Sequence, residues 1–152
     1  MEYKRVSADC HIDLCWLPPT LFTDEATPAM KSRMPYVASG PKGEYWTTPS
    51  GANLGLKNGV GPTGAPYVPG QHARVDRMAE TGLYRDGERD IRRVSDPHLR
   101  VRDMDLDGVQ AEVLYGILGA ASRLGDTEAV NEMLRIYNDW LVEFCSHYPE
   151  RH

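Results

Sequence analysis

The segment 40–70 constrains the fold of this chain most, because glycine and proline are concentrated there. Eight of the 14 glycines and five of the 11 prolines fall within these 31 residues. Glycine weakens regular elements and proline removes a backbone donor, so this density opposes a long helix or a central strand. A segment of this length is usually an active-site loop, an insertion or a linker. We therefore predict an irregular segment here.

Aromatic residues argue against a plain linker in this segment. Tyr45, Trp46 and Tyr67 lie in it, and a flexible spacer gains nothing by carrying such side chains. We favour a loop that packs over another part of the protein, such as a substrate pocket. A surface insertion that docks its aromatic side chains on the core is about equally well supported.

Length, charge and cysteine count limit the class of protein. The chain has 152 residues, 41% of them hydrophobic, which suits one ordinary domain. The net charge of -5 disfavours nucleic acid as a partner. No apolar run has the length of a membrane span and residues 1–5 lead into a strand, so we predict a soluble cytoplasmic protein with no membrane partner. The three cysteines have no repeating spacing, which favours reduced thiols over disulfides or a zinc finger.

The stretch 126–147 predicts the longest helix. Asp126 suits the N-cap and Pro149 forbids continuation. We expect one face of this helix to be core, with Trp140 and Phe144 buried. The apolar positions recur at steps of three and four residues: Val130, Met133, Leu134, Tyr137, Trp140, Leu141 and Phe144.

A second helix and a strand precede it. Asp96 suits an N-cap, Pro97 the first helical position and Gly108 the helix end. The residues 109–115 predict a strand with Val109, Ala111, Val113 and Tyr115 on one face. Helix, glycine and strand in this order are typical of an α/β fold. We also predict short helices at 27–34 and 73–80 and a solvated charged surface at 85–93.

Asp9 and His11 are the candidate site residues at the amino-terminal end. Val6 to His11 reads as a short strand, in which side chains two apart point to the same face. A carboxylate and an imidazole at the carboxyl end of a strand suit half of a divalent-metal site. The alternative is that Asp9 accepts a hydrogen bond from His11 or caps the following turn, and spacing alone favours this alternative.

Three stretches together resemble the amidohydrolase-related family, the decarboxylase-like branch of the amidohydrolase superfamily. The first is the run from Ser7 to Ile12, which resembles the family's first-strand motif. The second resembles its helix-to-strand turn, Arg102 to Val109, with the strand Val113 to Tyr115 after it. The third resembles its helix "YNDWLxEFC", followed by a "PxR" motif: Tyr137, Asn138, Asp139, Trp140, Leu141 and Cys145, then Pro149 and Arg151.

The resemblance implies a (β/α)8 TIM barrel with one divalent metal ion, zinc by preference or manganese, at the carboxyl ends of its strands. The ligand pair carries over to Asp9 and His11, with Asp13 as the alternative to Asp9. A His on a middle strand and an Asp on the last strand should complete the site. A barrel of this kind needs about 250 residues, so we read residues 1–152 as its amino-terminal portion, with an insertion at about 40–70.

Two reactions fit such a protein, both on a small organic substrate that is aromatic or carboxylated. One is metal-dependent hydrolysis, and the other is non-oxidative decarboxylation. The general base is expected beyond residue 152, so we expect the chain alone to bind metal weakly without turnover. The rival interpretation is a non-catalytic fragment or interaction module that pairs its open strand edges with another chain. Association into a homo-oligomer is left open.

Overall fold

The computed structural model describes residues 4–57, 67–71 and 73–152. In this part of the chain, five strands form two sheets. Strands β1 (Val6–His11) and β5 (Ala111–Tyr115) pair in parallel. A separate antiparallel sheet holds β2 (Tyr36–Gly40), β3 (Gly43–Thr47) and β4 (Asn53–Leu56) in that order. The helices are α1 (Leu21–Glu25), α2 (Ala73–Glu80), α3 (Leu83–Glu88), α4 (Pro97–Asp107), α5 (Leu118–Ala121) and α6 (Thr127–Ser146).

The prediction of a TIM barrel is wrong for the part of the chain that the structure describes. A barrel of that kind alternates parallel strands with helices. Here β1 pairs directly with β5, and the three strands between them in sequence are antiparallel and belong to the other sheet. Short connections let neighbouring strands satisfy their backbone hydrogen bonds locally, without a helical crossover. The fold is a small α/β domain with a two-stranded parallel sheet and a three-stranded antiparallel sheet.

The prediction of an irregular segment at 40–70 is also wrong over residues 43–56, where β3 and β4 lie. Gly43 has φ of 110° at the turn between β2 and β3, a conformation that favours glycine. Trp46 is fully buried and packs edge-on against Phe22, with 5.9 Å between ring centroids. This aromatic residue is therefore docked on the core, as the insertion alternative expects. Residues 58–66 lie outside the described part.

The predicted capping of the two main helices is confirmed. Asp126 accepts hydrogen bonds from the backbone N–H groups of Glu128 and Ala129 at the start of α6. Asp96 does the same for His98 and Leu99 at the start of α4, which ends at the left-handed Gly108 with φ of 67°. Such caps satisfy backbone donors and carbonyls that a helix leaves unpaired. None of the described helices is long and apolar enough to cross a membrane.

Predictions for the shorter elements are mixed. Helix α2 spans residues 73–80 as predicted. The predicted helix at 27–34 is reduced to a 3-10 turn at Lys31–Arg33. The stretch 85–93 is a solvated surface as predicted, since none of its residues is buried. Its Arg93 bridges two carboxylates, those of Asp86 and Asp103, at 3.0 and 3.1 Å.

The face of α6 that packs on the core is close to the predicted one. Met133, Ile136 and Tyr137 are fully buried and Phe144 is 4% exposed. Trp140 is only half-buried, so its predicted burial is wrong. Its ring stacks on that of Phe144 with 5.5 Å between centroids, so it covers the core at its margin.

Two large apolar residues of strand β5 face the solvent. Val113 and Tyr115 are 44% and 49% exposed, whereas Glu112, on the opposite face of the strand, is 5% exposed. The predicted alternation holds for Val113 and Tyr115. The side packed against the helices nevertheless carries a carboxylate, which the sequence pattern does not indicate.

Truncation of Phe144 tests the packing of α6. We expect Phe144→Ala to lower the free energy of unfolding by about 3–5 kcal/mol, because a large buried ring leaves a cavity. The control is Val142→Ala on the same helix, where the side chain is 71% exposed and the change should stay within about 0.5 kcal/mol. Urea denaturation measures both. Equal losses would contradict the assignment of the buried face.

Candidate functional site

A β-bulge in β1 sorts its side chains between the two faces of the parallel sheet. Ser7 pairs with Glu112 and Cys10 with Leu114. Strand β1 therefore has one more residue than β5 between these two pairs. The bulge brings Ser7 and Cys10 to one face, where the Cys10 thiol donates a hydrogen bond of 3.0 Å to the Ser7 hydroxyl. In regular alternation, residues three apart would face opposite ways. Asp9, which precedes Cys10 within the bulge, lies on the opposite face beside His11.

Asp9 and His11 converge as predicted at the carboxyl end of β1. A hydrogen bond of 3.1 Å joins His11 Nε2 to Asp9 Oδ1, which is the contact that the alternative interpretation predicts. The Asp9 and His11 side chains are 85% and 46% exposed. Asp9 lies within the bulge, between Ser7 and Cys10, and its contact with His11 places the two side chains on the same side of the strand. Tyr115 is paired with His11 in the register, and the two rings lie 5.8 Å apart.

The alternative ligand Asp13 lies outside the strand. It follows the fully buried Ile12 and precedes the 3-10 turn at Leu14–Trp16. In the described part of the chain it makes no hydrogen bond with His11. The geometry therefore favours Asp9 over Asp13 as the partner of His11.

The donor pair fits a divalent ion as part of its ligand set. Two ligand atoms about 2.0–2.1 Å from one ion are about 2.9 Å apart at a right angle and about 3.4 Å apart at the tetrahedral angle. The 3.1 Å between Asp9 Oδ1 and His11 Nε2 falls between these values. Among the described residues, no group of three or more His, Cys, Asp or Glu side chains could hold a metal ion. These residues alone supply two ligands, and their role as ligands stays a prediction.

The hydroxyl of Tyr137 ties the ends of the two parallel strands together. Tyr137 is fully buried on α6, and its hydroxyl lies 3.3 Å from the carbonyl oxygen of Ile12 and 3.2 Å from that of Tyr115. Burial raises the pKa of this phenol to about 12, so it stays protonated as a donor. Its ring also passes close to Gly116, where an added Cβ would meet it at 3.4 Å. Tyr137 therefore fixes the backbone on which His11 and Tyr115 sit.

A buried ion pair lies on the helix-facing side of the same sheet. Both carboxylate oxygens of Glu112 accept from the Arg100 guanidinium, at 2.5 and 2.8 Å. Nδ1 of the buried His152 ring lies 3.0 Å from Glu112 Oε1, although neither ring nitrogen has a well-directed hydrogen bond within the described residues. Burial alone would raise the pKa of the Glu112 carboxyl, but His152 and Arg100 outweigh it and hold the pKa at about 2.

The sequence analysis did not predict the contact of the Tyr137 hydroxyl with the strand ends or the buried pair of Glu112 and Arg100. Tyr137 was predicted only as a core position, although a hydroxyl at a buried position signals that an acceptor must lie near it. Glu112 carried a weaker signal, an acidic residue within an apolar strand. Its partner Arg100 lies on another element, so spacing could not identify the pair.

Removal of the Tyr137 hydroxyl tests its contact with the strand ends. We expect Tyr137→Phe to lower the free energy of unfolding by about 1–3 kcal/mol, because buried carbonyl oxygens lose their donor. The matched control is Tyr36→Phe, the same chemical change at a residue that is 42% exposed, with an expected effect within about 0.5 kcal/mol. Chemical denaturation measures both. A loss for Tyr137→Phe no larger than the control's would show that the hydroxyl contributes nothing.

The Glu112 carboxyl should make stability depend on acid pH. Its pKa is about 2 in the folded chain against an ordinary value of 4.5, so its contribution is present above about pH 4.5 and is lost as pH falls toward 2. We expect the unfolding free energy of the parent to fall by on the order of 2–3 kcal/mol more than that of Glu112→Gln over this range. Denaturation at stepped pH measures the difference. Glu143→Gln, at an exposed position, should follow the parent, and parallel curves for the parent and Glu112→Gln would refute the linkage.

Comparison with known proteins adds no relative to this chain. No protein-family model and no curated protein matches it. The family resemblance therefore depends on the three motifs in the sequence, and the site is interpreted from its own geometry.

Proposed function

We propose that this chain contributes the Asp9–His11 pair of a metal-dependent hydrolase site that acts on a small organic substrate, as in the amidohydrolase-related family. The observation that carries the proposal is the 3.1 Å approach of Asp9 Oδ1 and His11 Nε2 at the carboxyl end of a parallel strand. Carboxylate and imidazole are suitable ligands for zinc, the preferred ion, and for manganese, the alternative. The three sequence motifs support the same family.

The residues of the chain have distinct tasks in this proposal. Asp9 supplies negative charge to a bound cation, and His11 supplies a neutral nitrogen donor. The exposed ring of Tyr115 beside His11, and Val113 two residues before it, offer an apolar surface for the body of a substrate. A bound metal ion would supply the chemistry of polarising a substrate carbonyl and lowering the pKa of water.

The reaction type is part of the proposal. Hydrolysis is our first choice, and loss of carbon dioxide is the alternative that the resemblance implies. Both need a group that moves a proton, and we assign no general base to the described residues. A cytoplasmic location, a small-molecule substrate and association into a homo-oligomer stay predictions.

Removal of either ligand tests the proposal. We expect Asp9→Asn and His11→Ala each to weaken zinc binding by at least about tenfold, because changes to outer partners of ligands alone cost about 10–100-fold. Calorimetric titration with Zn²⁺ measures affinity, and imidazole nitrogen NMR shifts report whether His11 is a ligand. Asp13→Asn is the matched control, since it removes the same type of charge nearby and should leave affinity unchanged.

The outcomes separate the alternatives. A His11 resonance that does not respond to zinc would reject the ligand assignment, and a loss in Asp13→Asn but not in Asp9→Asn would make Asp13 the ligand. Activity is assayed on esters, amides and aromatic carboxylic acids with the zinc-loaded chain. Metal-dependent turnover above that of the free ion would show that residues 1–152 suffice for catalysis, against our expectation.

A further inference from the structure

A second pair of metal-binding side chains lies away from β1. His98 is in the first turn of α4, and His147 is the C-cap of α6. Both are exposed, and their ring centroids lie 5.5 Å apart with 72° between the planes. Tyr148 packs edge-on against His98, and its hydroxyl lies 2.8 Å from His98 Nδ1.

We propose that His98 and His147 bind one divalent transition-metal ion of the class that prefers imidazole, such as Zn²⁺, Ni²⁺ or Cu²⁺. Two imidazoles that bind one tetrahedral ion through nitrogens at about 2.0–2.1 Å have centroids about 5 Å apart. The observed 5.5 Å is within a small side-chain rotation of that spacing. Two helices distant in sequence thus place the two rings close together.

Tyr148 orients one of these ligands. When His98 Nδ1 carries the proton and donates to the Tyr148 hydroxyl, the lone pair of Nε2 is free for a metal ion. A partner on the second ring nitrogen is typical of histidines that bind metals, because it fixes both the tautomer and the direction of the ring. Tyr148 is therefore a positioning residue for this site.

The electrostatic setting of His147 favours a cation. The carboxyl end of a helix carries partial negative charge, and the last turn of the 20-residue α6 contains no basic residue. No third His, Cys, Asp or Glu joins the pair as a metal-holding group among the described residues. Water must fill the other positions, so we expect weaker binding than in a zinc site with four protein ligands. The proposal does not depend on the Asp9–His11 site.

The experiment is a Zn²⁺ titration of the 152-residue chain with His11→Ala in place, so that the other site is removed. Calorimetry should find one equivalent of zinc, and the NMR shift of His98 Nε2 should change on binding. We expect His98→Ala and His147→Ala each to weaken this binding by at least about tenfold, and the double variant to lose it. Tyr148→Phe keeps the ring, removes only the hydroxyl and should cost about tenfold.

Two controls complete the design. Tyr36→Phe makes the same chemical change as Tyr148→Phe at a residue of β2 that is 42% exposed, and it should leave affinity unchanged. Circular dichroism should show that the variants keep the fold. Unchanged zinc stoichiometry and affinity in the His98→Ala/His147→Ala double variant would overturn the proposal. So would zinc shifts on other histidines with none on His98 and His147. A negative result for His98 and His147 does not affect the Asp9–His11 proposal, because zinc binding there is followed by the NMR shifts of the His11 ring nitrogens.

Discussion

The parallel pairing of β1 with β5 joins residues far apart in the sequence, and the contacts of the candidate site follow from it. The register sets Val6 beside Ala111 and His11 beside Tyr115. The entropy cost of closing a loop grows slowly with its length, so an entire antiparallel sheet can lie between the two strands in sequence. Tyr137 then donates toward the carbonyl oxygens that follow β1 and end β5. The position of His11 is thus set by a second strand and by α6 together.

The polar side chains on the two faces of this sheet differ in burial. The helix-facing side holds the buried carboxylate of Glu112, which is paired with Arg100 and lies beside the buried ring of His152. The other side presents Asp9 and His11 with Tyr115, all exposed. A buried charge must be paired or it is expelled, whereas an exposed carboxylate and imidazole remain able to bind a ligand. Acidic and histidine side chains therefore belong to the packed interior on one face of the sheet, whereas on the other face they form the candidate metal site.

The two proposed metal sites differ in donor chemistry and in how the fold assembles them. Asp9 and His11 are neighbours in one strand, and a bulge orients them. His98 and His147 come from α4 and the end of α6, and they meet only because the segment after α6 packs against the start of α4. A carboxylate with an imidazole tolerates zinc and manganese, whereas two imidazoles favour zinc, nickel and copper.

The local features could be predicted from the amino-acid sequence. Asp126 and Asp96 as caps, Gly108 as a helix end, the apolar stripe of α6 and the convergence of Asp9 with His11 all depend on residues a few positions apart, within reach of helix and strand periodicity. Long-range packing determines that β1 pairs with β5 in a two-stranded sheet, that β3 and β4 form within the glycine-rich segment, and that Glu112 faces the core. Those outcomes depend on partners distant in sequence, such as Arg100 for Glu112 and Phe22 for Trp46. Periodicity carries no information about such partners, because they are selected by packing and by the pairing of buried charge.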